Sequence, residues 1–162
     1  MRRWIWTVIL LLITPGLASA QTSNEHRWYG NVFLAPGIAT DGEGLGATLH
    51  AGVGVDRFLY RGFGIGGEIG YAGAATAPGF GAGLASVNGA YHFNRADKFV
   101  PFVTGGYSLL FRSATLNAMN FGAGFNYWFR DGLGFRMELR DHVAIQDGSA
   151  HALGLRIGLT FR

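Results

Sequence analysis

Near the C-terminus, Phe135, Met137 and Leu139 alternate with Arg136, Glu138 and Arg140. A period of two, with charges on one face and bulky apolar groups on the other, predicts a strand between two unlike environments. The same alternation recurs along the chain in eight segments separated by turn signals. The predicted strands run from about His26 to Ala35 (ended by Pro36-Gly37), Leu45 to Tyr60, Phe63 to Ala74, and Gly81 to Phe93. The remaining four cover Phe99 to Arg112, Asn117 to Phe129, Leu133 to Val143 and His151 to Phe161. In the third, Phe63, Ile65, Ile69 and Tyr71 oppose Gly64, Gly66, Glu68 and Gly70. In the eighth, Leu153, Leu155, Ile157, Leu159 and Phe161 oppose Gly154, Arg156, Gly158 and Thr160.

Alternation alone leaves open which face meets water. Composition settles the expectation. Only 14% of the residues are charged and Lys98 is the sole lysine, against about 25% Asp, Glu, Lys and Arg in soluble domains. A soluble sandwich with so little polar surface would not stay dispersed. The inverse arrangement, apolar side chains on lipid and charges in a narrow lumen, fits the pattern. Each segment has the roughly 9–11 residues a tilted membrane-spanning strand requires. Closure into a ring is then obligatory, because an open sheet edge in lipid would leave N–H and C=O groups unpaired. The predicted fold is all-β: an eight-stranded antiparallel up-and-down transmembrane β-barrel. The 27 glycines show no collagen-like period, and their inward positions make room for bulky lumenal groups.

Two domains of unequal kind follow from the N-terminus. Arg2 and Arg3 precede an apolar run from Trp4 to Ile13, then Pro15-Gly16 and the small-x-small triplet Ala18-Ser19-Ala20. This is the layout of a cleavable signal peptide, residues 1–20; the apolar run is well short of the ~20 residues a spanning helix needs. The barrel would occupy residues 21–162, and the chain is expected to end with it. Loss of Arg2 and Arg3 leaves 11 basic against 10 acidic residues, so the sequence pI of 9.6 overstates how basic the exported protein is. No basic patch with interleaved aromatics suggests nucleic acid. The absence of cysteine removes disulfides and thiolate metal sites.

The two rims are expected to differ. Short connections link strands 2–3, 4–5 and 6–7, flanked by Phe58, Tyr60, Phe63, Tyr91, Phe93, Phe99, Phe102, Tyr127, Trp128, Phe129 and Phe135. Together with Phe161, where the eighth strand ends at the same side, these read as an aromatic girdle at one interface, the periplasmic one, where short turns are the rule. At the other rim, residues 38–44, 75–79, 113–116 and 144–150 form loops of modest length, which argues against an adhesion or receptor role built on long loops.

Three stretches carry a resemblance: Pro101-Phe102-Val103-Thr104-Gly105-Gly106-Tyr107, Gly134-Phe135-Arg136-Met137-Glu138-Leu139-Arg140-Asp141, and the last strand ending in Phe161. Over nearly the whole exported chain the sequence resembles the small eight-stranded outer-membrane barrels, the OmpA-like and OmpX-like domains. The resemblance implies residence in the outer membrane of a Gram-negative-type bacterium among outer-membrane lipids. It also implies insertion by the barrel assembly machinery, which in the family reads a C-terminal aromatic. Here Arg162 follows that aromatic. Nothing implies a cofactor or a metal, and the protein is expected to be monomeric.

Candidate chemistry concentrates in the lumen. Glu68, Arg136, Glu138, Arg140 and Arg156 fall on inward faces at similar heights, and Glu68 is expected to reach the arginines across the ring. Buried charges are tolerable only when paired and hydrogen-bonded. Such an interior is expected to be plugged rather than to conduct as a general porin does. The expected role is therefore structural or one of surface interaction. The alternative is a lipid A-modifying enzyme, which would need a nucleophile, a base and a carboxylate in reach; His142, Asp147, Ser149 and His151 are its candidates. The same histidines with Asp147 form no recognisable metal-ligand spacing. His50 and His92 read as lumenal hydrogen-bonding groups. A secreted lipocalin-like binder would want the charged exterior this chain lacks.

Overall fold

The computed structural model describes residues 26–40, 44–76, 81–112, 115–145 and 150–162. The predicted signal peptide, Asp147 and Ser149 lie outside them. The strands are β1 (Trp28–Thr40), β2 (Leu45–Tyr60), β3 (Phe63–Ala74), β4 (Gly81–His92), β5 (Phe99–Phe111), β6 (Thr115–Arg130), β7 (Leu133–Ala144) and β8 (His151–Phe161). Each pairs antiparallel with the next, and β8 returns to β1, from Gly30 opposite Phe161 to Thr40 opposite His151. The sheet is a closed eight-stranded barrel with no free edge in its wall. That closure lets every strand cross lipid with its backbone paired.

β1 does not stop at Pro36-Gly37 as the sequence suggested. Pro36 pairs with Leu49 of β2. Pairing with β8 lapses at Ala35 and Pro36 and resumes at Gly37 in the same register. The missing proline N–H is thus absorbed on one side of the strand, and the strand continues. β6 is also longer than expected, starting at Thr115 and running to Arg130.

The two-residue connection Arg61-Gly62 has φ of +41° and +90°, the left-handed pair that matches the twist of a tight hairpin. Just before it, the β2–β3 register shifts between Phe58 and Tyr60. The bulge resets the alternation, so that Phe58 turns inward while Tyr60, two residues on, is exposed. An equivalent shift lies between Trp128 and Arg130 before the β6–β7 turn.

Alternation sorts the side chains into two populations. Outward positions such as Val53, Ile69, Val87 and Leu139 are apolar and exposed. Buried positions are largely polar or charged and face the lumen, among them Asn31, Asp56, Glu68, Asn120, Asn126, Arg136, Glu138, Arg140 and Arg156. The barrel therefore carries its apolar surface outside. Inward glycines give the large groups their space. A Cβ at Gly122 would lie 2.8 Å from Glu138 Oε1, and one at Gly124 would lie 2.9 Å from Glu138 Cβ.

The predicted girdle needs correction at three places. Tyr60, Phe63, Tyr91, Phe93, Phe99, Tyr127, Phe129 and Phe161 do point outward near the short turns, joined by Trp28. Phe58, Phe102 and Trp128 instead face the lumen, with exposures of 8%, 1% and 2%. Each has the parity of the inward positions on its strand. Tyr71, Tyr107 and Phe111 are exposed nearer the opposite rim, forming a sparser second aromatic band.

Candidate functional site

From the turn end upward, the lumen is filled in layers. The lowest is aromatic. Tyr29 meets Phe58 edge-on with ring centroids 4.6 Å apart, and Trp128 at 4.9 Å. His92 packs on Phe58 at 5.0 Å and on Phe102 at 4.9 Å. Edge-to-face contacts of this kind add to the burial of the rings themselves. Arg95, from the β4–β5 turn, stacks on Phe58 at 3.7 Å, and Arg162 stacks on Trp128 at 4.4 Å. Two guanidinium groups thus cover the aromatic layer from below.

Above it runs a chain of alternating charges. Asp56 meets Arg136 at 3.4 Å. Arg136 donates to Glu138 Oε2 from Nη2 at 3.1 Å and from Nε at 3.3 Å. Arg140 donates from Nε to Glu138 Oε1 and from Nη1 to Glu68 Oε2, the latter at 2.9 Å. Glu68 then accepts both terminal nitrogens of Arg156 at 2.7 Å, a fork-to-fork pair. Three carboxylates and three guanidinium groups alternate, and the chain is formally neutral. Two of its guanidinium groups are stacked on rings: Arg136 lies 4.0 Å over Phe102, and Arg156 4.3 Å over Phe33.

A neutral hydrogen-bonded patch flanks the charges. Ser86 and Ser108 share a hydrogen bond of 2.8 Å, and Asn120 donates to Ser108 at 2.9 Å. With the Asn88 amide turned to match its neighbours, its nitrogen donates to Asn120 Oδ1 at 3.0 Å and its oxygen accepts from Arg140 at 3.3 Å. Arg140 is thereby held on three sides.

The five sequence-predicted lumenal residues, Glu68, Arg136, Glu138, Arg140 and Arg156, are all buried and share one network. Glu68 reaches Arg140 and Arg156; Arg136 is held by Glu138 and Asp56 instead. Asp56 was missed, although it lies two residues before Phe58 on the same inward parity as His50. Of the four catalytic candidates, His142 and His151 are among the described residues, and they do not face each other. His142 faces the lumen, where its ring lies 6.3 Å from that of His50. His151 is on the outer surface, with Nδ1 2.8 Å from Asp141 Oδ2. Among the described residues, no three His, Asp or Glu side chains are grouped as metal ligands.

The layered lumen narrows the class of protein to one. A closed eight-stranded barrel with an apolar exterior and a charge-paired interior has the architecture of the small outer-membrane barrels. No protein-family model matches the sequence, and no curated protein does. Solved structures do match. Neisserial surface protein A is similar with a TM-score of 0.66 at 11% identity, over 84% of this chain and 97% of that one. The N-terminal β-barrel domain of OprF from Pseudomonas aeruginosa is similar with a TM-score of 0.54 at 18% identity, over 81% and 97%. The outer membrane enzyme PagL is similar with a TM-score of 0.51 at 15% identity, over 82% and 99%. Likeness at these identities defines the fold: that of an eight-stranded outer-membrane β-barrel.

Proposed function

We propose that this protein is an integral outer-membrane barrel with a plugged lumen, contributing to envelope structure or to contacts at the cell surface. Residues 1–20 direct its export and are removed, leaving residues 21–162 as the barrel, with the short turns toward the periplasm. Arg95, Arg162 and the aromatic layer close the lumen at the turn end, and the neutral charge chain crosses it above them. The observation that carries the reading is this crossing: six charged side chains from β2, β3, β7 and β8 span the interior with no charge left over. An ion passing through would have to break buried pairs. The plug joins two strand pairs, β2–β3 and β7–β8, across the lumen.

The catalytic alternative has less support. PagL shows that the architecture can carry an enzyme, but here His142 and His151 sit on opposite faces of the wall. A serine nucleophile needs its base and the orienting carboxylate on one side.

Fractionation and planar-bilayer recording test the proposal together. The protein should leave membranes only with detergent, migrate differently on gels before and after heating, and give no steady conductance. A soluble periplasmic pool, or stable open channels from homogeneous folded protein, would overturn it.

A further inference from the structure

The outward face of β3 reads Phe63, Ile65, Gly67, Ile69, Tyr71, and Gly67 is the one position in that row without a side chain. It stands between Val55 of β2 and Val87 of β4. A Cβ built there would meet only the Ser86 carbonyl oxygen, at 3.8 Å. The result is a hollow in the outer wall, bounded by Val53, Val55, Ile69 and Ala85. Glu68 and Ser86, the polar residues beneath it, turn inward to Arg156 and Ser108. The hollow is therefore apolar, and it leaves Ile69 64% exposed.

Toward the short turn, the same outward row of β2 carries a charge. Arg57 follows Val53 and Val55 on one parity and lies about 7 Å beyond Val55. Its guanidinium stands 5.1 Å over Trp28, its register partner on β1. In the β2–β3 turn, Arg61 stands 5.2 Å over Tyr60. Trp28 and Tyr60 belong to the outward aromatic band, so both cations are held at the depth of lipid headgroups. Stacking on a ring steadies a guanidinium and leaves its N–H edges free to donate. Among the described residues, neither Arg57 nor Arg61 has a side-chain hydrogen bond or ion pair. The hollow and the β2–β3 turn lie wholly within those residues. Two unpaired cations at headgroup depth, with an apolar hollow on their bilayer side, match the polarity of a single anionic amphiphile.

We propose that the outer wall of β2 and β3 holds one anionic glycerophospholipid. Its phosphodiester accepts hydrogen bonds from Arg57, Arg61 adds charge from the turn, and an acyl chain lies in the hollow at Gly67. A zwitterionic lipid would bring an ammonium group toward the second guanidinium. A second copy of this chain, inserted the same way up, offers no counter-charge at that depth on its strands: the only outward carboxylate among their described residues, Asp141, is near the opposite rim. This inference rests on the reading of the outward face as lipid-facing and adds a preferred lipid to it.

Native mass spectrometry tests it on protein purified from membranes in detergent, with dioleoyl phosphatidylglycerol or dioleoyl phosphatidylethanolamine added. An arginine beside an anionic lipid is worth about fivefold in binding. Phosphatidylglycerol should remain as a single adduct, at least about fivefold more abundant than phosphatidylethanolamine, and Arg57→Gln should erase about fivefold of that preference. Gly67→Leu fills the hollow where a Cβ has room and should weaken the adduct while heat-modifiable migration stays unchanged. Arg130→Gln, at the β6–β7 turn, should leave the adduct as it is. In phosphatidylcholine vesicles, chain-brominated phosphatidylglycerol should quench tryptophan fluorescence more than brominated phosphatidylcholine at equal mole fraction, and Trp28→Phe should remove the difference. Equal retention of the two lipids, an adduct untouched by Arg57→Gln or by a folded Gly67→Leu, equal quenching, or a dimer that retains no lipid would each overturn the proposal. Such a failure would leave fractionation and conductance unaffected, because neither depends on Arg57 or Gly67.

Discussion

Glu68→Ala is the most informative perturbation of the lumen. Glu68 accepts three charge-assisted hydrogen bonds, two from Arg156 at 2.7 Å and one from Arg140 at 2.9 Å. Its removal leaves a formally neutral chain one positive charge in excess, inside a wall that water scarcely enters. Arg140 keeps Glu138 as a partner, but Arg156 loses the carboxylate that holds it. Orphaning a buried charge in this way costs about 3–5 kcal/mol, because the remaining ion stays desolvated without its counterion. The cost should fall when the orphan is removed as well. In Glu68→Ala/Arg156→Met a coupling of about 1–3 kcal/mol is expected, as for residues in direct contact. Glu68→Ala/Arg136→Met should show a smaller coupling, because Arg136 is held by Asp56 and Glu138 and meets Glu68 only through Glu138 and Arg140. Equilibrium urea unfolding from lipid vesicles, read by the fluorescence of lumenal Trp128, measures all of these. A Glu68→Ala loss of only about 0–1 kcal/mol would mean a water-exposed pair and refute the buried chain. Equal coupling to Arg136 and Arg156 would refute the connectivity.

Three further substitutions probe other parts of the wall. Leu155→Arg puts a charge on the outward face and should cost about 2–4 kcal/mol near the bilayer midplane in the same vesicle assay; unchanged folding would invert the inside–outside assignment. Gly124→Ala should cost about 1–3 kcal/mol through overpacking, because its Cβ would run into the Met137 carbonyl oxygen and lie 2.9 Å from Glu138 Cβ; a neutral result would show that β6 and β7 can move apart. Trp128→Ala should cost about 3–5 kcal/mol, by opening the aromatic layer against Tyr29 and Arg162, whereas Phe129→Ala, on the outer surface, should cost less.

Much of the architecture was legible in the sequence. The period of two is a local property of extended backbone, so Leu153 to Phe161 could be sorted into faces without knowing any neighbour. The count of eight strands and the need for closure followed from the same pattern and from the cost of unpaired backbone in lipid. Glycine at Arg61-Gly62 and Asp131-Gly132, between alternating runs, is a legible hairpin signal, and both glycines take positive φ. The inward charges were visible as charges, because Glu68, Glu138 and Arg156 each interrupt an apolar strand on one parity.

What joins what was decided only by the closed ring. Glu68 and Arg156 stand on β3 and β8, which are not neighbours in the sheet; their fork-to-fork contact depends on the tilt and stagger that closure imposes. The same holds for Asp56 meeting Arg136 across the lumen. The aromatic residues near the short turns were misassigned as one band because proximity to a turn was weighed above parity. Bulges at Phe58/Tyr60 and Trp128/Arg130 then let ring side chains two or fewer residues apart serve opposite faces. Pro36 looked like a strand end because a missing N–H is a local fact, while the pairing that tolerates it is not.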